Sequence, residues 1–202
     1  ACTDITAISI RANSTVQTDF MWGIPVSVSK DNRKATLVMK HALAAVRITY
    51  VRGTYSGTGN VSKVSFGGNC IAVAGTLDAT DGSISNLAGK GTMLTPPQIT
   101  TTLSSTLQEF ELIVIPTGEK QGKIVITIDG KDYTIEFGDI DLRQGQITQF
   151  HLTVNDGQLS LSDITVSEWT YADSKDTAIK VTDKVTLTGN LDDIAVYNSV
   201  VN

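Results

Sequence analysis

This chain of 202 residues is short of aromatic rings, sulfur and charge, and each shortage excludes something. Aromatic residues make up 6%, too few for the exposed platform of flat rings on which sugar-binding faces usually rely. Charged residues make up 18%, and the net charge of −5 offers no basic face to a phosphate backbone. Neither His41 nor His151 has a cysteine or a second histidine at metal-ligand spacing. No apolar run approaches the roughly 20 residues that a membrane-spanning helix needs. No segment holds a helical period for more than about two turns.

What the chain has in quantity is strict alternation. Phe110, Leu112 and Val114 alternate with Glu111, Ile113 and Ile115, and Ile124, Ile126 and Ile128 with Lys123, Val125 and Thr127. Tyr133, Ile135 and Phe137 then alternate with Asp132, Thr134 and Glu136, and Phe150, Leu152 and Val154 with Gln149, His151 and Thr153. A period of two sends one set of side chains inward and the other to water, the mark of half-buried strands. Asp129-Gly130 lies between two of the runs and predicts a type I′ hairpin, whose central residues both need positive φ. Further strand signals fall at Val26-Val28, Ala35 to Met39, Leu43 to Val51, Asn60 to Phe66 and Ile164 to Trp169. Many short strands separated by turns predict an all-β, antiparallel β-sandwich. Its core should contain Leu112, Val114, Ile124, Ile126, Ile135, Phe137, Phe150, Leu152 and Trp169 in mutual contact.

Three parts are expected. Residues 1–24 hold one alternating run, Ile5 to Ile10, which cannot bury its own apolar face and must pair elsewhere. Residues 25–170 form the sandwich, with the Gly-, Thr- and Ser-rich stretch after Phe66 wrapping its edge. Residues 171–202 form an extension in which Ile179, Val181, Val185 and Leu187 oppose Lys180, Thr182, Lys184 and Thr186. That extension is either the last hairpin of the domain or a strand given to a neighbour.

Chemistry is sparse. Asp78 to Gly82 lacks the ligand ladder of a calcium loop, and Gly53 to Gly59 precedes no helix that could cradle a phosphate. No nucleophile elbow is present, so the chain reads as no enzyme and as needing no cofactor or metal. Both histidines read as surface or satisfied structural groups, and Trp22 and Trp169 as packing residues. Cys2 and Cys70 leave three readings open. Cys2, preceded by the small Ala1, suits the acceptor of a bacterial lipoprotein. The two could form a disulfide in an oxidising compartment. Or both are unpaired thiols, with Cys70 buried as a small apolar residue.

Several motifs fall in a recognisable order. Asp19-Phe20-Met21-Trp22-Gly23 is followed by Ala35 to Ile48, which contains Lys40-His41-Ala42-Leu43-Ala44. Then come Leu112-Ile113-Val114-Ile115-Pro116, Asp129-Gly130-Lys131-Asp132-Tyr133, Gly145 to Val154 and Ile164 to Trp169. In this order, over residues 19–169, the chain resembles the fimbrillin family of Bacteroidales-type bacteria.

The resemblance implies a subunit of a cell-surface fimbria, as stalk, tip or anchor, exported as an outer-membrane lipoprotein with a transthyretin-like sandwich. It also implies assembly by strand exchange with other copies or related subunits, and a role in adhesion to host or bacterial surfaces. A protease cutting after Arg or Lys would remove the first strand, which makes Arg11 the candidate processing site; the alternative is an ordinary exposed arginine. A neighbour's strand would fill the vacated groove by main-chain pairing with side chains in alternate pockets. Ile179, Val181, Val185 and Leu187 are the candidate donor face, and Cys2 the candidate lipidation site. Family members usually carry a full domain ahead of the Asp-Phe-Met-Trp element, so a truncated, processed or compact form is expected. The alternative function is a surface-exposed glycan-binding lipoprotein on a similar sandwich.

Overall fold

The computed structural model describes residues 4–27, 29, 38–97 and 101–170, and every described element is a strand. In chain order these are β1 (Ile8–Arg11), β2 (Met21–Gly23), β3 (Met39–His41), β4 (Ala44–Arg52) and β5 (Asn60–Gly67). Next come β6 (Ile71–Ala72), β7 (Ala74–Leu77), β8 (Ile84–Ala88), β9 (Met93–Leu94) and β10 (Thr101–Thr102). The long strands close the series: β11 (Gln108–Pro116), β12 (Gly122–Ile128), β13 (Lys131–Phe137), β14 (Gln146–Asn155) and β15 (Gln158–Glu168).

Two five-stranded sheets make a β-sandwich. One runs β10-β5-β12-β13, with β9 also on β5; the other runs β15-β14-β4-β11-β6. The alternation read from the sequence sets their facing. Ile124, Ile126 and Ile128 of the first sheet are buried, as are Phe110, Leu112, Val114, Phe150, Leu152 and Val154 of the second. Glu111, Ile113, Val125, Gln149, His151 and Thr153 are half-buried on the other parity. Phe66 on β5 meets Phe150 on β14 at 5.6 Å between ring centroids, and Phe137 meets Phe150 at 5.1 Å. These offset rings join the inner faces into one apolar core. The Asp129-Gly130 turn between β12 and β13 has φ of +49° and +78°, the left-handed values that the hairpin requires.

One pairing within this frame is parallel. β14 runs alongside β4 with Phe150 opposite Ile48, while β11 flanks β4 antiparallel on its other side. Parallel neighbours need a long crossover, and here everything between Arg52 and Gln146, including the whole first sheet, supplies it. With strands on both sides and side chains over both faces, β4 is buried on each parity from Ala44 to Val46. That explains the unbroken apolar run Ala42 to Val46.

The structure corrects four local readings. The stretch after Phe66 does not merely wrap an edge: β7 pairs with β1 and β8 to form a third, three-stranded sheet. Trp169 is buried, but on the outer face of the second sheet with Ala45 and Ile147, away from Phe150. Ile135 and Phe137 pack against the core while remaining half-buried, because β13 is the terminal strand of its sheet. Val26 belongs to no strand, and β3 begins only at Met39; Val28 and residues 35–37 lie outside the described residues.

Candidate functional site

The N-terminal segment carries a strand at the edge of the third sheet. Among the described residues β1 pairs antiparallel with β7 alone, Ile8 opposite Leu77 and Ile10 opposite Gly75. Its alternation plants Ile10, fully buried, and Ile8 in the common core while Ser9 and Arg11 face water. A four-residue strand at a sheet margin is held by few main-chain bonds, so most of its anchorage is those two isoleucines. Burying an isoleucine contributes about 1.5–3 kcal/mol.

Arg11 is exposed at the end of β1, opposite Ala74, and the N–H of Ala12 donates to the carbonyl of Val73 at 3.0 Å. The bond after Arg11 is therefore accessible by side chain and paired by main chain. After it the linker 13–19 lies over strand margins. The hydroxyl oxygen of Ser14 accepts from the N–H of Thr95 at 3.0 Å, and Gln17 Oε1 accepts from the N–H of Ile113 at 2.6 Å.

The linker is tied down at its far end. Asp19 Oδ2 lies 2.9 Å from His41 Nδ1, and the N–H of Ala42 donates to the carbonyl of Phe20 at 2.7 Å. The His41 ring stacks on Trp169 at 4.0 Å and 3°. The N–H of Trp169 donates to the carbonyl of Gly145, and that of Gly145 to the carbonyl of Leu43. The end of the linker, the end of β3 and the end of β15 thus meet in one cluster. Sequence reading placed His41 as a structural histidine but did not join it to Asp19 and Trp169. Both ends lay within the quoted motifs, and only the three-dimensional fold brings positions so distant in the chain together.

The other candidates separate cleanly. Cys70 is a buried free thiol, and burial pushes it up to about 11, so it is a packing group and no nucleophile. Cys2 and the donor-face residues Ile179, Val181, Val185 and Leu187 lie outside the described residues. Among the described residues no group of acidic, histidine and cysteine side chains could hold a metal ion. Asp78 and Asp81 instead accept from nearby main-chain N–H groups of Thr80 and Ser83. His151 Nδ1 lies 2.9 Å from the Thr49 hydroxyl. Trp22 packs against Gly82, whose missing Cβ leaves room for the indole, and beneath the Lys40 ammonium at 5.1 Å.

The loops at one end of the sandwich are bound together by polar groups. Asp129 accepts from the Tyr55 hydroxyl and from the N–H groups of Gly59 and Asn60, all within 2.7–2.8 Å. Those bonds, led by that from Gly59, hold its carboxyl below the usual carboxylate value. The guanidinium of Arg52 donates to the carbonyls of Leu103, Tyr55, Gly57 and Thr58.

A crystal structure of a candidate cell adhesion protein from Bacteroides uniformis superposes with a TM-score of 0.65 at 19% identity, covering 84% of this chain and 69% of that one. A second candidate cell adhesion protein, from Bacteroides ovatus, gives 0.58 at 12% identity, covering 82% of this chain and 61% of that one. At such identities the likeness shows a shared fold, and this chain spans about two thirds of the length of those proteins. No curated protein matches the sequence. The model of the fimbrillin-like family matches residues 3–169, in which the margin strand, the linker and the Asp19–His41–Trp169 cluster all lie. The chain belongs to the fimbrillin-like family.

Proposed function

We propose that this protein is a subunit of a cell-surface fimbria and joins its neighbours by exchanging strands. The observation that carries the reading is β1: a short strand on one partner only, with Ile8 and Ile10 in the core and an exposed arginine at its end. Cleavage after Arg11 would release β1 and leave the margin of β7 and two apolar pockets open. Such a vacancy is costly to leave in water and is filled by any extended segment with apolar residues at alternate positions.

Ile179, Val181, Val185 and Leu187 have that spacing, and in this reading residues 178–188 of one copy serve the next. Cys2, as a lipid-bearing residue, would hold the unprocessed subunit at the outer membrane, and the assembled fimbria would contribute to adhesion. A glycan-binding role has less support, since the Trp169 ring is stacked on His41 and Trp22 is packed against Gly82 and Lys40.

The test is to treat the full chain with an arginine-specific protease and examine it by electron microscopy and light scattering. Filaments or ladders of oligomers are expected after cleavage. A product cut after Arg11 that stays monomeric at high concentration overturns the reading.

A further inference from the structure

The groove that β1 fills has a definite footprint. Between Asp4 and Arg11 the buried large side chains are Ile8 and Ile10; Thr6, Ala7, Ser9 and Arg11 are exposed and Ile5 is half-buried. The next inward position belongs to Ala12, which is 9% exposed and lies in the same core. Its N–H donates to the carbonyl of Val73 at 3.0 Å, so main-chain pairing continues one residue past β1.

Cleavage after Arg11 would change that position chemically. Hydrolysis adds water across the Arg11–Ala12 peptide bond: a carboxylate leaves with β1, and the amide nitrogen of Ala12 becomes an α-ammonium. An ammonium has three protons, and the Val73 carbonyl accepts one of them. The residue is held from behind, because the linker is fastened at Ser14 to Thr95, at Gln17 to Ile113 and at Asp19 to His41. A charge at a residue so far buried needs an opposite charge beside it. Arg11, its neighbour in the chain, is cationic and departs with β1.

The tail can meet this footprint in two registers. On one parity residues 178–188 carry Ile179, Val181, Asp183, Val185 and Leu187, so a carboxylate divides the apolar residues into two pairs. A groove with two large pockets takes one pair. Laid antiparallel to β7, as β1 is, Val185 and Leu187 would bring Gly189 to the Ala12 amine and leave Asp183 at the place of exposed Thr6. Ile179 and Val181 would instead bring Asp183 to the amine, with Lys180 and Thr182 in the exposed places of Ser9 and Arg11. The place of Ile5 does not separate the two, since it receives a polar residue in either, Thr182 or Asp176. Charge separates them. Shape agrees, because Ile179 and Val181 are both β-branched, as Ile8 and Ile10 are.

We infer that Ile179 and Val181 of a second copy fill the pockets of Ile8 and Ile10, and that its Asp183 pairs with the α-ammonium which cleavage creates at Ala12. This rests on the strand-exchange reading above and adds to it a register and a reason why a processed terminus is recognised. Val185 and Leu187 then lie beyond the groove, and the break in the tail's apolar parity is the feature that reads the new terminus.

Full-length variants, cleaved after Arg11 and followed by light scattering and by their ladder of oligomers, test this. Val181→Asp should abolish assembly, and Leu187→Asp should leave it at the parent level. Asp183→Asn should weaken it several-fold. Cyanate near neutral pH blocks an α-amine, with pKa about 7.7–8.0, ahead of lysine at about 10.4. Blocking the Ala12 amine should weaken the parent by a similar factor and leave Asp183→Asn unchanged. An Asp183 that merely shapes the tail would give the same loss with the amine free or blocked, and that result overturns the ion pair. Loss of assembly in Leu187→Asp, or parent-like assembly in Val181→Asp, overturns the register while leaving strand exchange intact. A parent chain that stays monomeric after cleavage overturns the strand-exchange reading itself, and this inference with it.

Discussion

Phe150 is the residue on which both inner faces converge, fully buried and in ring contact with Phe66 and Phe137. Phe150→Ala should cost about 3–5 kcal/mol, measurable by denaturant unfolding, because the neighbouring strands cannot collapse into the void. A loss under about 1 kcal/mol would contradict the inward parity of β14. Asp129 gives a prediction in pH. Its folded carboxyl is held below the usual carboxylate value, so its contribution is present above that value and fades as pH falls through the folded one. Asp129→Asn should therefore be less stable than the parent at neutral pH, with the gap narrowing in thermal melts taken below about pH 4. Arg52→Lys should loosen the loop 53–59, since one ammonium cannot reproduce a fork serving four carbonyls. Faster amide exchange confined to that loop is the expected signature.

At the scale of elements, β1 and the tail carry the functional argument. The bond after Arg11 lies beside a main-chain pairing at Ala12, so a protease reaches it only when the end of β1 opens. Mild trypsin treatment should nevertheless yield a chain beginning at Ala12, detected by mass, because β1 is four residues long and has one partner. An intact N-terminus with cuts only elsewhere would remove the processing reading. Deleting residues 178–202 should leave a folded monomer that no longer joins other copies. If the shortened protein unfolds instead, the tail belongs to its own domain and cannot be the donor.

For the whole molecule, two main sheets and a small third one share one main core, and β1, the strand proposed to be exchanged, lies at the edge of the third sheet beside β7. In the proposed exchange a strand leaves or arrives with the sandwich itself intact. Circular dichroism of the protease-treated subunit should accordingly keep its β signal while light scattering rises. Loss of the β signal on cleavage would mean that β1 supports the entire fold.

The sequence by itself determined the β class, the inward parity of β11, β12 and β14, and the hairpin at Asp129-Gly130, because each depends on neighbours in the chain: period two and positive φ. It also showed, through ordered motifs, the family to which the chain belongs. It did not show that β14 would lie parallel to β4, that β7 would seat β1, or that Trp169 would stack on His41 across the outer face. Arg11 was legible as a candidate, but Gln17 was not, since a lone glutamine in a polar linker carries no local signal. Those facts belong to the tertiary structure for one reason. A strand's alternation says which way its side chains point, but which neighbour it pairs with is settled only by competition among all margins of the folded chain.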